Sequence, residues 1–343
     1  FGAYGNDFNG EDAGRVRVYR YESDNWVMMG NPIDGENEGD FSGAAIDLSS
    51  DGTILAIGAH SFNTTTYSGQ VRVFKYDSTD WVQLGTDIYG EMPYGCAGRS
   101  LALSADGHTI AVGAPFYDGM VSDGGYVRVM TFNGWDWQTK GADIFGQTAG
   151  EKFGYSVGLS NDGETMAVSA NFKDTSGTDR GMAQVYSFTN GAWQQMGNTL
   201  IGENAGDYFG EKISMSGDGQ TIAVGAPAND GYGSNSGHVR VFRYNSVSWQ
   251  QMGVDINGES PNDMSGTALV LNSDGLVVAI GASFNDGLAS GAGHVRVFSY
   301  GSNLGNNEEN GNKTLVFPNP ARETIIIQGT RILQVEVFDI NGR

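Results

Sequence analysis

The segment Val16-Arg17-Val18-Tyr19-Arg20-Tyr21 returns five more times with small changes, its first residue falling at Val16, Val71, Val127, Ala183, Val239 and Val295. The steps are 55, 56, 56, 56 and 56 residues. Independent landmarks keep the same phase: Trp26, Trp81, Trp137, Trp193 and Trp249; the Asp-Gly pairs that begin at Asp51, Asp106, Asp162, Asp218 and Asp274; and Gly43, Gly98, Gly154, Gly210 and Gly266. Agreement of separate markers at one period defines a tandem array of a single supersecondary unit, and it runs from the first residue to about Tyr300.

The copy at residues 209–256 shows what the unit is. FGEKISMS alternates apolar and polar residues and stops at Gly217-Asp218-Gly219, a tight-turn signal. TIAVGAP follows, then a polar loop, then HVRVFRY, a break at Asn245-Ser246, and SWQQMGVDI. These are four short strands. No stretch of 10 to 12 residues carries the i, i+3, i+4 apolar face of a helix. Four strands per unit, with a turn at every junction, predicts an all-β propeller in which each blade is one twisted sheet. The strand TIAVGA, apolar on both faces, suits a position between neighbouring blades. Full blades fall at 41–88, 97–144, 153–200 and 209–256. An incomplete unit lies on each side, the last at 264–300 without a recognisable fourth strand or its tryptophan. Six blades are counted, and because the chain opens inside a strand at Phe1-Gly2-Ala3, a seventh is expected upstream.

Composition narrows the chemistry. With 19 Lys and Arg against 40 Asp and Glu, the formal net charge is −21, which repels phosphate backbones, so nucleic acid is not an expected partner. One cysteine permits no internal disulfide. No run approaches the length needed to span a bilayer.

On the pairs Phe153-Gly154 and Phe209-Gly210, together with Gly113-Ala114-Pro115 and Gly225-Ala226-Pro227, the array resembles the FG-GAP repeat known from the integrin α-chain propeller. Three units depart from the motif: Gly58-Ala59-His60, Ser169-Ala170-Asn171 and Gly281-Ala282-Ser283 stand where Gly-Ala-Pro belongs. The resemblance implies a propeller, usually of seven blades, that serves adhesion or ligand binding. It also brings in Ca2+ as a cofactor, although the Asp-x-Asp-x-Asp-Gly loop of calcium-binding copies is absent here.

After a Gly/Asn-rich linker at 301–314, residues 315–343 read as two alternating strands of a small, partial β-sandwich-like tail. Pro318-Asn319-Pro320, the apolar run after it and the closing Asp339-Ile340-Asn341-Gly342-Arg343 resemble the C-terminal sorting domain of type IX secretion cargo in Bacteroidetes. The sorting-motif residues are Pro318, Asn319, Pro320, Gly342 and Arg343. The resemblance implies export to the cell surface or medium, with the secretion machinery as a partner, and a domain cut about halfway.

Each chemical candidate has a plainer role beside it. The tryptophans suit sugar stacking but are expected to pack blade on blade. Arg17, Arg72, Arg128, Arg240 and Arg296 could form a cationic ring, but are expected to stack on aromatic rings and pair with carboxylates between blades. Acids recur after the fourth strand: Asp34, Glu36, Glu38 and Asp40; Glu203 and Asp207; Glu259 and Asp263. They are candidate cation ligands, with capped turns the simpler reading. The loops at Asn6-Asp7, Asp118, Asp174, Asn229-Asp230 and Asn285-Asp286 lie at one end of the array and are the candidate ligand-binding loops. Cys96 shares the slot of Phe41 and Met264 and is expected to be a small core residue. His60, His108, His238 and His294 show no zinc spacing.

Repetition without a singular polar constellation predicts a secreted or surface-displayed propeller without catalytic activity, binding an extracellular protein or glycan. The alternative is a polysaccharide-active hydrolase or lyase with its site in the propeller funnel, built on one asymmetric pair of acids. A structural protein of the cell envelope is a third reading.

Overall fold

The computed structural model describes residues 1–62, 67–175, 177–287, 289–301 and, for the backbone, 313–317. The sorting-motif residues Pro318, Asn319, Pro320, Gly342 and Arg343 lie outside them. Every regular element among the described residues is a strand, and no helix is long and apolar enough to cross a membrane.

The third blade shows the pattern. Its inner strand, Ser100–Leu103, pairs antiparallel with Thr109–Ala114, which pairs with Tyr126–Phe132 and then with Trp137–Thr139. A further short strand, Ile144–Phe145, pairs with the start of the third strand, so the outer edge is split in two. The second, fourth and fifth blades repeat this arrangement. The first blade contributes Gly2–Ala3, Arg15–Val16 and Ile33–Asp34, with a ribbon of Tyr19–Glu22 and Asn25–Met28. The sequence shows no fourth strand for the sixth blade. The structure supplies one: Lys313–Phe317 lies antiparallel to His294–Ser299 and straddles the boundary drawn at residue 315 between linker and tail.

The apolar second strand explains how the blades stack. In Thr109–Ala114 every residue is buried. Ile110, Val112 and Ala114 pack with Val71, Val73 and Ile88 of the preceding blade, whereas Ala111 packs with Val157, Met166 and Val168 of the following one. Period-two alternation therefore gives one strand two interfaces, branched residues on one side and small ones on the other. The glycine of the Gly-Ala pair is required by close approach: a Cβ on Gly113 would lie 2.1 Å from the carbonyl oxygen of Gly154 in the next blade.

Buried clusters link blades one to two, two to three, and so on to six. At one end the inner hairpin turns form a continuous backbone chain, Ser50 to Ala105, Ala105 to Asn161, Asn161 to Gly217 and Gly217 to Ser273, each amide donating to the next carbonyl at 2.8–2.9 Å. There Asn161 Nδ2 also donates to Ser273 Oγ at 3.4 Å, reaching from blade four to blade six. The hairpin end of the funnel is thus drawn together. The opposite end, where each Phe-Gly and Gly-Ala-Pro position falls, forms the mouth.

Candidate functional site

The inner strands begin just after the Phe-Gly glycine, and the next residue changes from blade to blade: Ala44, Arg99, Tyr155, Glu211 and Thr267. Repetition holds the backbone of this position constant, so three consecutive blades set a cation, a phenol and a carboxylate around one mouth. Glu211 is held from two sides. Tyr155 Oη donates to its Oε1 at 3.2 Å, and Asn171 Nδ2 donates to its Oε2 at 2.8 Å. The Arg99 guanidinium stands over the Tyr155 ring at 5.2 Å.

Two of the three departures from Gly-Ala-Pro point into this group. Asn171 is fully buried against Glu211, and its Oδ1 has no hydrogen-bond partner. His60 faces Arg99 and is pulled down to about 4, chiefly because burial disfavours its charged form and secondarily by the Arg99 charge. The third, Ser283, lies 3.4 Å from Thr267 across their hydroxyl groups.

Farther along the inner strands Asp47 and Lys212 interact across the funnel. Enclosure raises the Asp47 carboxyl above the usual aspartate value, although the amides of Leu103 and Leu48 and the charge of Lys212 oppose the shift. The same enclosure lowers the Lys212 ammonium, opposed by Asp47 and reinforced by Arg99. In the following blades the position of Asp47 holds Ala102, Gly158, Ser214 and Val270, so Asp47 is the one acid at this level of the inner strands from blade two to blade six. Among the described residues, neither Arg99 nor Lys212 makes an ion pair or a side-chain hydrogen bond.

The rim is aromatic. Phe41, Cys96, Lys152, Tyr208 and Met264 take left-handed backbone conformations, with φ between 52° and 55°. Phe41 lies 5.8 Å from the His60 ring, Tyr208 lies 5.2 Å from Phe172, and Lys152 Nζ sits 3.6 Å above Phe172. Cys96 is therefore half-buried on the rim and not a core residue as expected, and burial pushes its thiol up. A hollow of about 450 Å³ beside the mouth is lined by Tyr208, Asn235, Met264 and Phe284.

The residues singled out from sequence lie outside the Arg99–Tyr155–Glu211 group, and of them Asp286 lines the hollow beside the mouth. Asp7, Asp118, Asp174, Asp230 and Asp286 each accept from the backbone amide five residues on, at 2.6–3.0 Å, closing their own loops. Asn6 accepts from the amide of Phe8. Asn229 and Asn285 donate to the buried Asp207 and Asp263 at 2.9 Å. Asp207 and Asp263 also accept from the amides of Asn204 and Ser260, and Asp40 from that of Asn37. Asp34 pairs with Arg15, Glu36 accepts from Gln70, and Glu259 lies 3.6 Å from Arg296. These acids act as turn caps and blade-to-blade partners. Glu203 faces Arg240 and His238 at 3.8 and 4.0 Å.

The packing expectations hold for four of the five tryptophans and four of the five arginines, Trp26 being exposed and Arg17 being without such a stack or ion pair among the described residues. Trp81, Trp137, Trp193 and Trp249 donate their indole N–H to carbonyls of the preceding blade at 2.7–2.8 Å. Arg72, Arg128, Arg240 and Arg296 stack on Phe74, Tyr126, Phe242 and Phe298 and face carboxylates.

The funnel residues Asp47, Arg99, Tyr155, Asn171, Glu211 and Lys212 were not singled out from sequence. The available signal was variation at a fixed phase: departures from the repeat mark the positions that face the axis.

The FG-GAP repeat family model matches residues 146–186 and 201–242. No curated protein matches the sequence. Among solved structures, a protein described as a 6-phosphogluconolactonase from Bacteroides uniformis is similar with a TM-score of 0.56 and 12% identity, over 84% of this chain and 76% of that one. The periplasmic gluconolactonase PpgL of Pseudomonas aeruginosa gives a TM-score of 0.53 and 14% identity, over 82% of this chain and 74% of its own. These propellers are named as enzymes, and the funnel here holds the singular polar constellation that the repeat pattern concealed. The expectation of a chain without catalytic activity is therefore withdrawn. The chain is a β-propeller in which residues 146–186 and 201–242 match the FG-GAP repeat.

Proposed function

We propose that the protein is a hydrolase for an anionic carbohydrate, a sugar-acid lactone or an acidic glycan, which enters the funnel from its aromatic rim. One observation carries the reading. In a chain of net charge −21, two cations face the funnel with no ion-pair partner among the described residues: Arg99 stands over the ring of Tyr155, which holds Glu211, and Lys212 lies within electrostatic reach of Arg99. The third-strand arginines Arg72, Arg128, Arg240 and Arg296 face carboxylates instead. Unpaired cations lining a solvent-filled funnel favour an anionic group of the substrate. Aromatic faces such as Phe41, Phe172 and Tyr208 suit sugar rings.

The roles follow from the surroundings. Arg99 and Lys212 hold the anion and stabilise negative charge that develops during bond cleavage. Glu211, oriented by Tyr155 and Asn171, accepts a proton from the attacking water. Asp47 keeps its proton to a higher pH than an ordinary aspartate, which suits an acid. The named lactonases support the lactone arm of this reading through their shape alone. The sorting-domain resemblance of residues 315–343 supports action outside the cytoplasm, on a glycan or glycan-derived ligand.

Hydrolysis of sugar lactones, phosphorylated sugar lactones and uronate-containing oligosaccharides tests the proposal. Turnover is expected on an acidic member, with Glu211→Gln reducing kcat/KM by about 100-fold or more and Arg99→Met chiefly raising KM. No turnover across the panel, or equal turnover by Glu211→Gln, rejects it.

A further inference from the structure

We propose that Glu203, His238 and Asp255 form a divalent-metal site at the seam between the fourth and fifth blades, with Zn2+ as the best-matched ion. Each residue offers one ligand atom, and these atoms lie within 4.8 Å of one another. Tetrahedral zinc with bonds near 2.0–2.1 Å sets its ligands about 3.3 Å apart, so a modest contraction completes the set. An imidazole with two carboxylates suits a borderline ion better than Ca2+, which takes oxygen ligands.

The observation that points to a ligand is His238 itself. It is 1% exposed, and neither ring nitrogen has a hydrogen bond. Its nearest carboxylate oxygen, Glu203 Oε2, is 4.0 Å away. A neutral imidazole always carries one N–H, and burying it without an acceptor is unfavourable unless something else occupies the space.

The second blade offers an internal control. Gln70 holds the place of His238, and Glu36 and Asp87 hold those of Glu203 and Asp255. There the Gln70 amide donates to Glu36 Oε2 at 3.0 Å and to Asp87 Oδ2 at 2.8 Å, so the same pair of acids is satisfied by a neutral donor. Arg240 takes the other oxygen of Glu203 at 3.8 Å, and Gln251 donates to Asp255 Oδ1 at 2.7 Å, which leaves one oxygen on each acid for the metal. Glu203 is partly exposed and gives the ion an entry path. In blade six His294 and Glu259 recur, but the strand Lys313–Phe317 sets Phe317 opposite Val295 as blade five sets Ile256 opposite Val239, so Val316 takes the place of Asp255 and one site per chain is expected.

Dialysis against EDTA followed by titration with Zn2+, read by calorimetry and by metal analysis after gel filtration, tests the site in the full chain. One Zn2+ per chain is expected, with a higher melting temperature when the metal is in excess. Co2+ should give the visible absorption of a four-coordinate ion. His238→Gln, which copies blade two, should fold and melt like the EDTA-treated wild type yet bind no metal, whereas His294→Gln should still bind one. Failure of the wild type to retain Zn2+ at micromolar concentration, or equal retention by His238→Gln, overturns the proposal.

Discussion

At the scale of single residues, one position of the repeat yields opposite outcomes depending on its surroundings. After each Gly-Ala pair, Pro115 and Pro227 end a strand, whereas His60 and Asn171 carry polar groups to the axis. His60 gives a pH test. Its folded value near 4 lies below the unfolded value of 6.5, so the unfolded chain binds the extra proton between them. Stability from a neutral His60 is fully present above pH 6.5 and is lost as pH falls toward 4, a loss on the order of 2–3 kcal/mol. Urea unfolding from pH 7 to 4 should show a shallower acid loss in His60→Gln than in the wild type. Identical slopes would remove the desolvation argument. The sequence displayed these substitutions as departures from a motif, but which of them meet at one carboxylate depends on curvature that a linear pattern does not encode.

At the scale of elements, the strands were legible because period-two alternation and Gly-containing turns recur in register. The fourth strand of blade six was not. Lys313–Phe317 carries no tryptophan and follows a linker-like stretch, so nothing local marks it as the partner of His294–Ser299. Tryptophan docking is the strongest element-level contact. Trp137 is 7% exposed and bonded to Leu84, whereas Trp26 is 62% exposed. Trp137→Ala should cost about 3–5 kcal/mol, whereas Trp26→Ala should cost under about 1 kcal/mol. Equal losses in chemical denaturation would show that docking between blades is not what the tryptophans supply.

At the scale of the whole molecule, an excess of 21 negative charges opposes compaction. Added sodium chloride should raise the melting temperature between low salt and about 0.5 M, because screening relieves self-repulsion over a Debye length that shrinks from about 30 Å at 0.01 M to a few Å. A flat or falling response would mean that paired charges already balance the surface. The same screening should weaken anion binding at Arg99 and Lys212. The sequence by itself determined the repeat length, the four-strand plan of the unit and the docking of four tryptophans and four arginines, since each follows from a local pattern that recurs from copy to copy. Only the tertiary structure decided where the copies differ usefully. Radial packing sets Arg99, Tyr155 and Glu211, each 56 residues from the next, around one funnel, and brings Asp47 within electrostatic reach of Lys212 three blades away. Neighbours along the chain specify a blade, but the axis belongs to no blade, so its chemistry exists only once the sheets are assembled around it.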